Sequence, residues 1–436
     1  MYLISKLESF NLKNFVNKHR FELLVFIISF FVYFVYNFYA SQHVNHLTRI
    51  VQQGFIDKTY MQGDAIWVIQ AIHTGQAKQF HPYFFLPLYP LYEFLMFVTR
   101  NLYLSLSLIW YTLASLSVVF LYKILNLIIP KLKIIKYLLV FIFMFSLTQL
   151  LMSYIFDLYI IAGFYLSILA YLVLKQIKTG NYNNLILTAI VSSLIFGVNM
   201  ISIVTCLILI FPLFVISNKK IKTANYFRTI TGFFIMLFIL VAFFIAFNSL
   251  MNNNASYKSL ATSKERIGRH IVKNPKLNLN YFHKETLLNP FVSSSSWNPA
   301  YLFYAVFILA MFYNFYLFKN NRVKKEDVVL YFSVLGAILY NYVCNFLWCP
   351  DMGFLFSQNF FILIFVLFSL SLKNMTVYLK TKNIHLCEKL NVIIAFLLVA
   401  FLMFEIILNT KTVNKQHYNA IKYNPANKNI KINELN

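Results

Sequence analysis

FELLVFIISFFVYFVYNFYA, residues Phe21–Ala40, is a run of 20 predominantly apolar residues, the length that a helix needs to cross the hydrocarbon core of a bilayer. It lacks a small-residue cleavage site and many similar runs follow, so it reads as an uncleaved anchor rather than a signal peptide. The chain around it has 436 residues, 60% of them hydrophobic, 19% aromatic and only 12% charged. Soluble domains average about a quarter charged residues, so this composition predicts an integral membrane protein. Long uniform apolar runs, rather than short alternating ones, exclude a β-barrel. The expected class is an all-α polytopic membrane protein.

Basic clusters divide the chain. Lys6, Lys13, Lys18 and Arg20 precede the first span, and Lys131, Lys133 and Lys136 follow the second. Lys175 with Lys178, the Lys219–Arg228 group, the Lys319–Lys325 group and the Lys373–Lys389 group come later. If all lie on the cytoplasmic side, every stretch between them crosses an even number of times. Tyr137–Leu174 and Leu185–Ser217 must then break near the middle, at SYIFDLY (Ser153–Tyr159) and FGVNM (Phe196–Met200). With further spans near Thr229–Leu250, Tyr301–Phe318, Val328–Phe346, Phe360–Leu372 and Val392–Leu408, a bundle of about 11 transmembrane helices is expected. It forms one domain, residues 1–436, with the N-terminus inside. Two long extracytoplasmic loops remain, 41–99 and 251–299. Within the first, Phe84–Thr99 reads as a re-entrant or interfacial helix because Pro87 and Pro90 interrupt it and a crossing there would invert the next basic cluster. The net charge of +24 is accounted for by topology, so no nucleic-acid partner is expected. The bias towards Asn, Lys, Ile, Phe and Tyr points to an AT-rich genome and to a bacterial inner (plasma) membrane rather than the endoplasmic reticulum. The four cysteines, Cys206, Cys344, Cys349 and Cys387, form no CxxC pair and read as small apolar residues.

The chemistry-bearing stretch is MQGDAIWVIQAIHTG (Met61–Gly75), followed by HPYFFLPLYPLYEFL (His81–Leu95). Trp67, Ile69 and Ile72 would hold a helix against the bilayer surface and leave Asp64 at the rim. An acid there can act as a general base, its pKa tuned by partial burial. The loop 251–299 supplies Lys264, Arg266, Arg269, His270, Lys273, His283 and Lys284, and arginine's planar fork suits phosphate oxygens. Together they suggest catalysis on a lipid-linked phosphate. The plain alternative is that Asp64 caps an interfacial helix and the basic loop meets anionic head groups. His73 and His81 flank the helix, as acceptor contacts or as solvated interfacial side chains. Asp57 is the rival base, Asp351 can line the same cavity, and Glu93 and Glu405 lie in apolar runs where a charge is costly.

GDAIWVIQAIHTG followed by FFLPLYPLYEFL resembles the first lumenal loop of the PIG-V family, the GPI mannosyltransferase 2 type of GT-C membrane glycosyltransferase. Asp64, Trp67, Gly75, Phe84, Phe85, Pro87, Tyr89 and Pro90 carry the likeness over about 35 residues, with Leu86 as an extra residue. The resemblance implies that Asp64 activates an acceptor hydroxyl and that the sugar, mannose or a related hexose, arrives on a polyprenyl phosphate. It also implies a glycolipid or glycan acceptor, transfer with inversion, and substrate contacts from Trp67 and Tyr89, to which His73 and His81 are added by their position beside the helix. Asp157 corresponds loosely to the family's acidic hairpin. Asn199 stands in GVNM where the family has an Arg-Ser-Asn-Gly-like tip, and Asn359 replaces a late arginine. Arg266, Arg269, His270 and Lys273 are then the phosphate contacts available. No Gly-rich phosphate loop and no DxD motif occurs, so neither a nucleotide-sugar fold nor a metal or other cofactor is expected. Two other classes remain open. One is a non-catalytic subunit of a membrane glycosylation complex. The other is a lipid-linked saccharide transporter or flippase, in which mid-membrane acids and broken helices are usual.

Overall fold

The computed structural model describes residues 12–42, 88–153, 158–180, 184–199, 202–216, 231–243, 279–280, 282–292, 298–348, 357–358 and 360–422. They form helices with no strand among them. In chain order these are α1 (Leu12–Gln42), α2 (Tyr89–Thr99), α3 (Leu102–Ile128), α4 (Lys133–Phe145), α5 (Leu147–Met152), α6 (Leu158–Thr179), α7 (Leu185–Val198) and α8 (Ser202–Val215). After α9 (Thr231–Phe243) and a π-helical turn at Lys284–Leu288 come α10 (Ala300–Lys319), α11 (Lys325–Trp348), α12 (Phe361–Lys382) and α13 (Ile384–Lys422). Helix prevails because the apolar runs carry few Gly or Pro, Gly163 in α6 and Pro212 in α8 being among those present, and in lipid every backbone N–H and C=O must be satisfied within its own segment.

Seven of the described helices, α1, α3, α6, α10, α11, α12 and α13, are long and apolar enough to cross a membrane. The protein is therefore a multi-pass α-helical membrane protein. The helices part where the sequence marks breaks, α5 ending at Met152 and α6 starting at Leu158, and α7 ending at Val198 and α8 starting at Ser202. Local chemistry closes each end. Asn101 and Asn383 accept the N–H groups of Leu104 and Leu386 at 3.0 Å and 2.9 Å, capping α3 and α13. Arg100, Gly180 and Asn321 take the left-handed conformation that terminates α2, α6 and α10. Helix α2 has 11 residues, so it rises roughly 16 Å, about half of a hydrocarbon core.

Helix α12 is central and buried along most of its length, packed against α10, α11, α13 and α3. The outer helices expose large apolar side chains such as Phe238, Phe312 and Phe396 to the hydrocarbon. Lipid tails are as apolar as leucine, so interhelical hydrogen bonds and close packing must supply specificity. Asn314 Nδ2 donates to Ser371 O (2.9 Å) while its Oδ1 accepts from Asn374 Nδ2 (2.9 Å), joining α10 to α12. Gln176 Nε2 donates to Thr188 Oγ1 (2.8 Å), joining α6 to α7, and Asn341 Nδ2 to Thr205 Oγ1 (2.7 Å), joining α11 to α8. Gly163 allows α6 to approach the chain just before α12. A Cβ there would stand 2.9 Å from Gln358 Oε1 and 3.3 Å from its carbonyl oxygen. Gly163→Leu is expected to force the two apart and cost about 1–3 kcal/mol, read as a lower Tm in detergent. An unchanged Tm would mean that this contact is not needed for packing.

The alternation of helix direction sorts the charges. Lys131, Lys178, Lys324, Lys373 and Lys380, drawn from four of the basic clusters, line one cavity at one end of the bundle. The termini α4–α6, α10 and α12 turn towards the opposite end carry a different chemistry.

Candidate functional site at the polar end of the bundle

The segment Phe282–Val292, the end of the loop 251–299, docks on the end opposite the lysines. The N–H groups of Leu147 and Thr148 open α5, where no carbonyl of their own helix can reach them, and they donate to Phe291 O and Pro290 O at 3.0 Å each. Tyr304 Oη donates to Leu287 O (2.9 Å), and the Phe282 ring packs against Tyr342 (5.1 Å) and Phe346 (5.4 Å) of α11. The Phe291 ring enters a buried aromatic cluster, 4.6 Å from Phe303, 4.9 Å from Phe361 and 5.8 Å from Phe401. This segment is thereby fixed to α5, α10, α11, α12 and α13 at once.

Beneath it lies a set of buried polar side chains. Asn409 Nδ2 bridges Phe145 O (2.9 Å) and Phe291 O (2.7 Å), so α13 holds both the end of α4 and the docked loop. Gln149 Nε2 donates to Gln358 Oε1 (3.5 Å) across α5 and the chain leading into α12. Glu405, one helical turn before Asn409, is fully buried, and neither carboxyl oxygen has a partner among the described residues. Thr148 Oγ1, Gln149 Oε1, Gln358 Nε2 and Asn409 Oδ1 share that condition. Buried polar atoms are normally paired, and each orphan costs about 1–3 kcal/mol; others lie elsewhere, Ser115 Oγ and Thr376 Oγ1 among them, so it is the carboxyl of Glu405 that sets this end apart. The lesson was half legible: Glu405 stands out as an acid in an apolar run, but Gln149, Gln358 and Asn409 carry no signal in isolation.

The docked turn adds two titratable groups, His283, named above among the basic residues of the loop, and Glu285, which sequence reasoning passed over. Glu285 is one of two acids in the loop 251–299, and that scarcity was the available signal. Burial raises its pKa above the ordinary 4.5, against the opposing pull of the Asn289 hydrogen bond (2.7 Å) and of Lys284. Burial lowers the pKa of His283 below 6.5, and its Nδ1 lies 3.5 Å from Tyr342 Oη. Burial thus disfavours the charged form of both side chains, the carboxylate of Glu285 and the imidazolium of His283. The π-helical turn Lys284–Leu288, which carries Glu285 and has His283 as its N-cap, is a geometry frequent at functional sites.

Native Glu285 retains a proton that the unfolded chain has released, so its contribution to stability is present below about pH 4.5 and is lost as pH rises through its native pKa. His283 runs the other way, its contribution being present above about pH 6.5 and lost as pH falls through its native pKa. Glu285→Gln keeps the acceptor for Asn289 without the charge. Its Tm relative to wild type is therefore expected to improve as pH rises from 4.5 until the native carboxyl has ionised. A difference that stays flat over that range would show that the carboxyl is not buried in the native protein.

Among the residues expected to bind substrate, Tyr89 opens α2 and is partly exposed, and the neighbouring Glu93 raises its phenol pKa by hydrogen bonding. Helix α2 packs on α3, with Thr99 Oγ1 2.7 Å from Ser105 Oγ. Asn199 is the C-cap of α7, in extended backbone conformation. Its N–H donates to Ile195 O (2.9 Å) and its carbonyl accepts from Ser202 N (3.0 Å), which fastens the break between α7 and α8. Asp64, Trp67, His73, His81, Asp157, Arg266, Arg269, His270 and Lys273 lie outside the described residues, as do Asp57, Asp351 and Asn359. Among the described residues no three His, Cys, Asp or Glu side chains stand together as a metal site, and Cys206, Cys344 and Cys387 are free thiols. No family model, curated protein or solved structure matches the chain.

Proposed function

We propose that the protein is a GT-C-type membrane glycosyltransferase that moves a sugar, mannose or a related hexose, from a polyprenyl phosphate to a glycolipid or glycan acceptor on the extracytoplasmic face of a bacterial plasma membrane. The observation that carries this reading is the docking of the loop end Phe282–Val292 onto α5 through Leu147 and Thr148. It seats His283 and Lys284, the last two basic side chains of the loop, at the end of the bundle opposite the lysine-lined cavity. The lysine-rich opposite end is the cytoplasmic one by the positive-inside rule, and about eleven spans follow from the same charge pattern.

In this reading Asp64 takes the proton of the acceptor hydroxyl as its oxygen attacks the anomeric carbon. The bond from that carbon to the phosphate oxygen breaks on the far face, the configuration inverts, and polyprenyl phosphate leaves with the electron pair. Arg266, Arg269, His270 and Lys273 stabilise the leaving phosphate, while Trp67, His73, His81, Tyr89, Asp157 and Asn199 position donor and acceptor. No metal or other cofactor takes part.

The buried, unpartnered carboxyl of Glu405 favours a second reading, a transporter of lipid-linked saccharide, because an intramembrane acid is usual on such pathways. Membranes containing the protein, supplied with radiolabelled polyprenyl-phosphate mannose, distinguish the two. Label appearing in a glycolipid or glycan only when the protein is present supports the transferase. Label that crosses the membrane unchanged, by a route lost in Glu405→Gln, supports the transporter and overturns the transferase.

A further inference from the structure

The cavity at the basic end of the bundle has a volume of about 710 Å³, within the range of ligand sites. Its walls are the turn between α3 and α4, the end of α6, the start of α11, the far half of α12 and the first turns of α13. Five lysines line it against three carboxylates, Glu326, Asp327 and Glu388. Asp327 is already engaged by Lys373 at 2.6 Å, and Lys178 is held by the carbonyl oxygen of Leu127 at 2.8 Å. Lys131, Lys324 and Lys380 have no ion-pair partner among the described residues and are exposed. Thr376, another wall residue, has a buried hydroxyl with no partner. Leu127, Ile128, Leu174 and Leu370 provide an apolar wall next to these donors.

Three uncommitted ammonium groups and an orphaned hydroxyl beside an apolar wall, at the mouth of a membrane bundle, match a phosphate group carried on acyl chains. We propose that this cavity seats the head group of an anionic phospholipid from the leaflet facing the basic turns. Its phosphate meets Lys131, Lys324, Lys380 and the Thr376 hydroxyl, and its acyl chains run along the apolar wall. Basic pockets between transmembrane helices on the cytoplasmic side are a recurrent solution for anionic lipid. Glu326 and Glu388 oppose the phosphate, so they weaken the site and make its selectivity adjustable. The site lies at the other end of the bundle from the sugar chemistry and does not depend on it.

The test uses the full chain in a neutral detergent, with lipid binding read by native mass spectrometry. Dioleoyl phosphatidylglycerol is expected to bind more tightly than dioleoyl phosphatidylcholine. The triple variant Lys131→Gln/Lys324→Gln/Lys380→Gln is expected to bind phosphatidylglycerol on the order of a hundredfold more weakly. Glu388→Gln, which removes an opposing charge, is expected to bind it more tightly, an effect that misfolding cannot imitate. Millimolar inorganic phosphate is expected not to displace the lipid. Equal binding of the two lipids, or wild-type affinity in the triple variant, would overturn the proposal. Displacement by inorganic phosphate would give the site to a soluble phosphate and overturn the lipid assignment.

Discussion

Asp64→Asn is expected to reduce transfer from polyprenyl-phosphate mannose by about 10²–10⁴-fold, the usual contribution of a positioned general base, with protein abundance in the membrane unchanged. Asparagine preserves size and hydrogen-bonding reach but cannot accept the acceptor's proton at the moment of attack. A loss confined to kcat at constant KM would identify an interaction made only in the transition state. Transfer at the wild-type rate would remove Asp64 from that role. The base would then be sought among Asp57, Asp157 and Glu285, of which Glu285 is the one with a described environment that raises its pKa.

Phe291→Ala is expected to be the most destabilising single change in the described residues of the docked loop, at about 3–5 kcal/mol. The ring is fully buried and stands within 6 Å of Phe303, Tyr304, Phe361, Phe365 and Phe401, so its removal leaves a void bounded by three helices. The same residue's carbonyl holds Leu147 N–H and Asn409 Nδ2, so collapse around the void also disturbs the polar end of the bundle. A thiol-reactive dye measures the effect, because Cys206 and Cys387 are buried and react on unfolding. Phe291→Leu, which refills most of the void, is expected to recover most of the lost Tm. Equal losses in both variants would assign the effect to backbone disturbance rather than to the cavity.

Membership of the all-α membrane class and the rough places of most described helices were legible before any tertiary information, but not the parting of α4 from α5 at Ser146 or the length of α13. The reason is local: a helix in lipid satisfies its own backbone, so an uninterrupted apolar run predicts it without reference to the rest of the chain. The convergence of Lys131, Lys178, Lys324, Lys373 and Lys380 at one end was likewise implied, since alternating helices must return their basic turns to the same side. The first outer loop is a different case. Asp64 and Trp67 stand out by pattern and family likeness, and they lie outside the described residues.

Class, most of the segmentation and the sorting of charge follow from residue pattern alone. Which polar side chains meet follows from how the helices pack. Gln149 joins Gln358 across 209 residues, and Asn409 reaches Phe145 across 264. Glu285 becomes a shifted acid only because Phe291 and Tyr304 pin its turn against the bundle. Such contacts depend on which helix faces which. In lipid that choice rests on shape and on a few hydrogen bonds between residues distant in sequence, and an apolar pattern is silent about both.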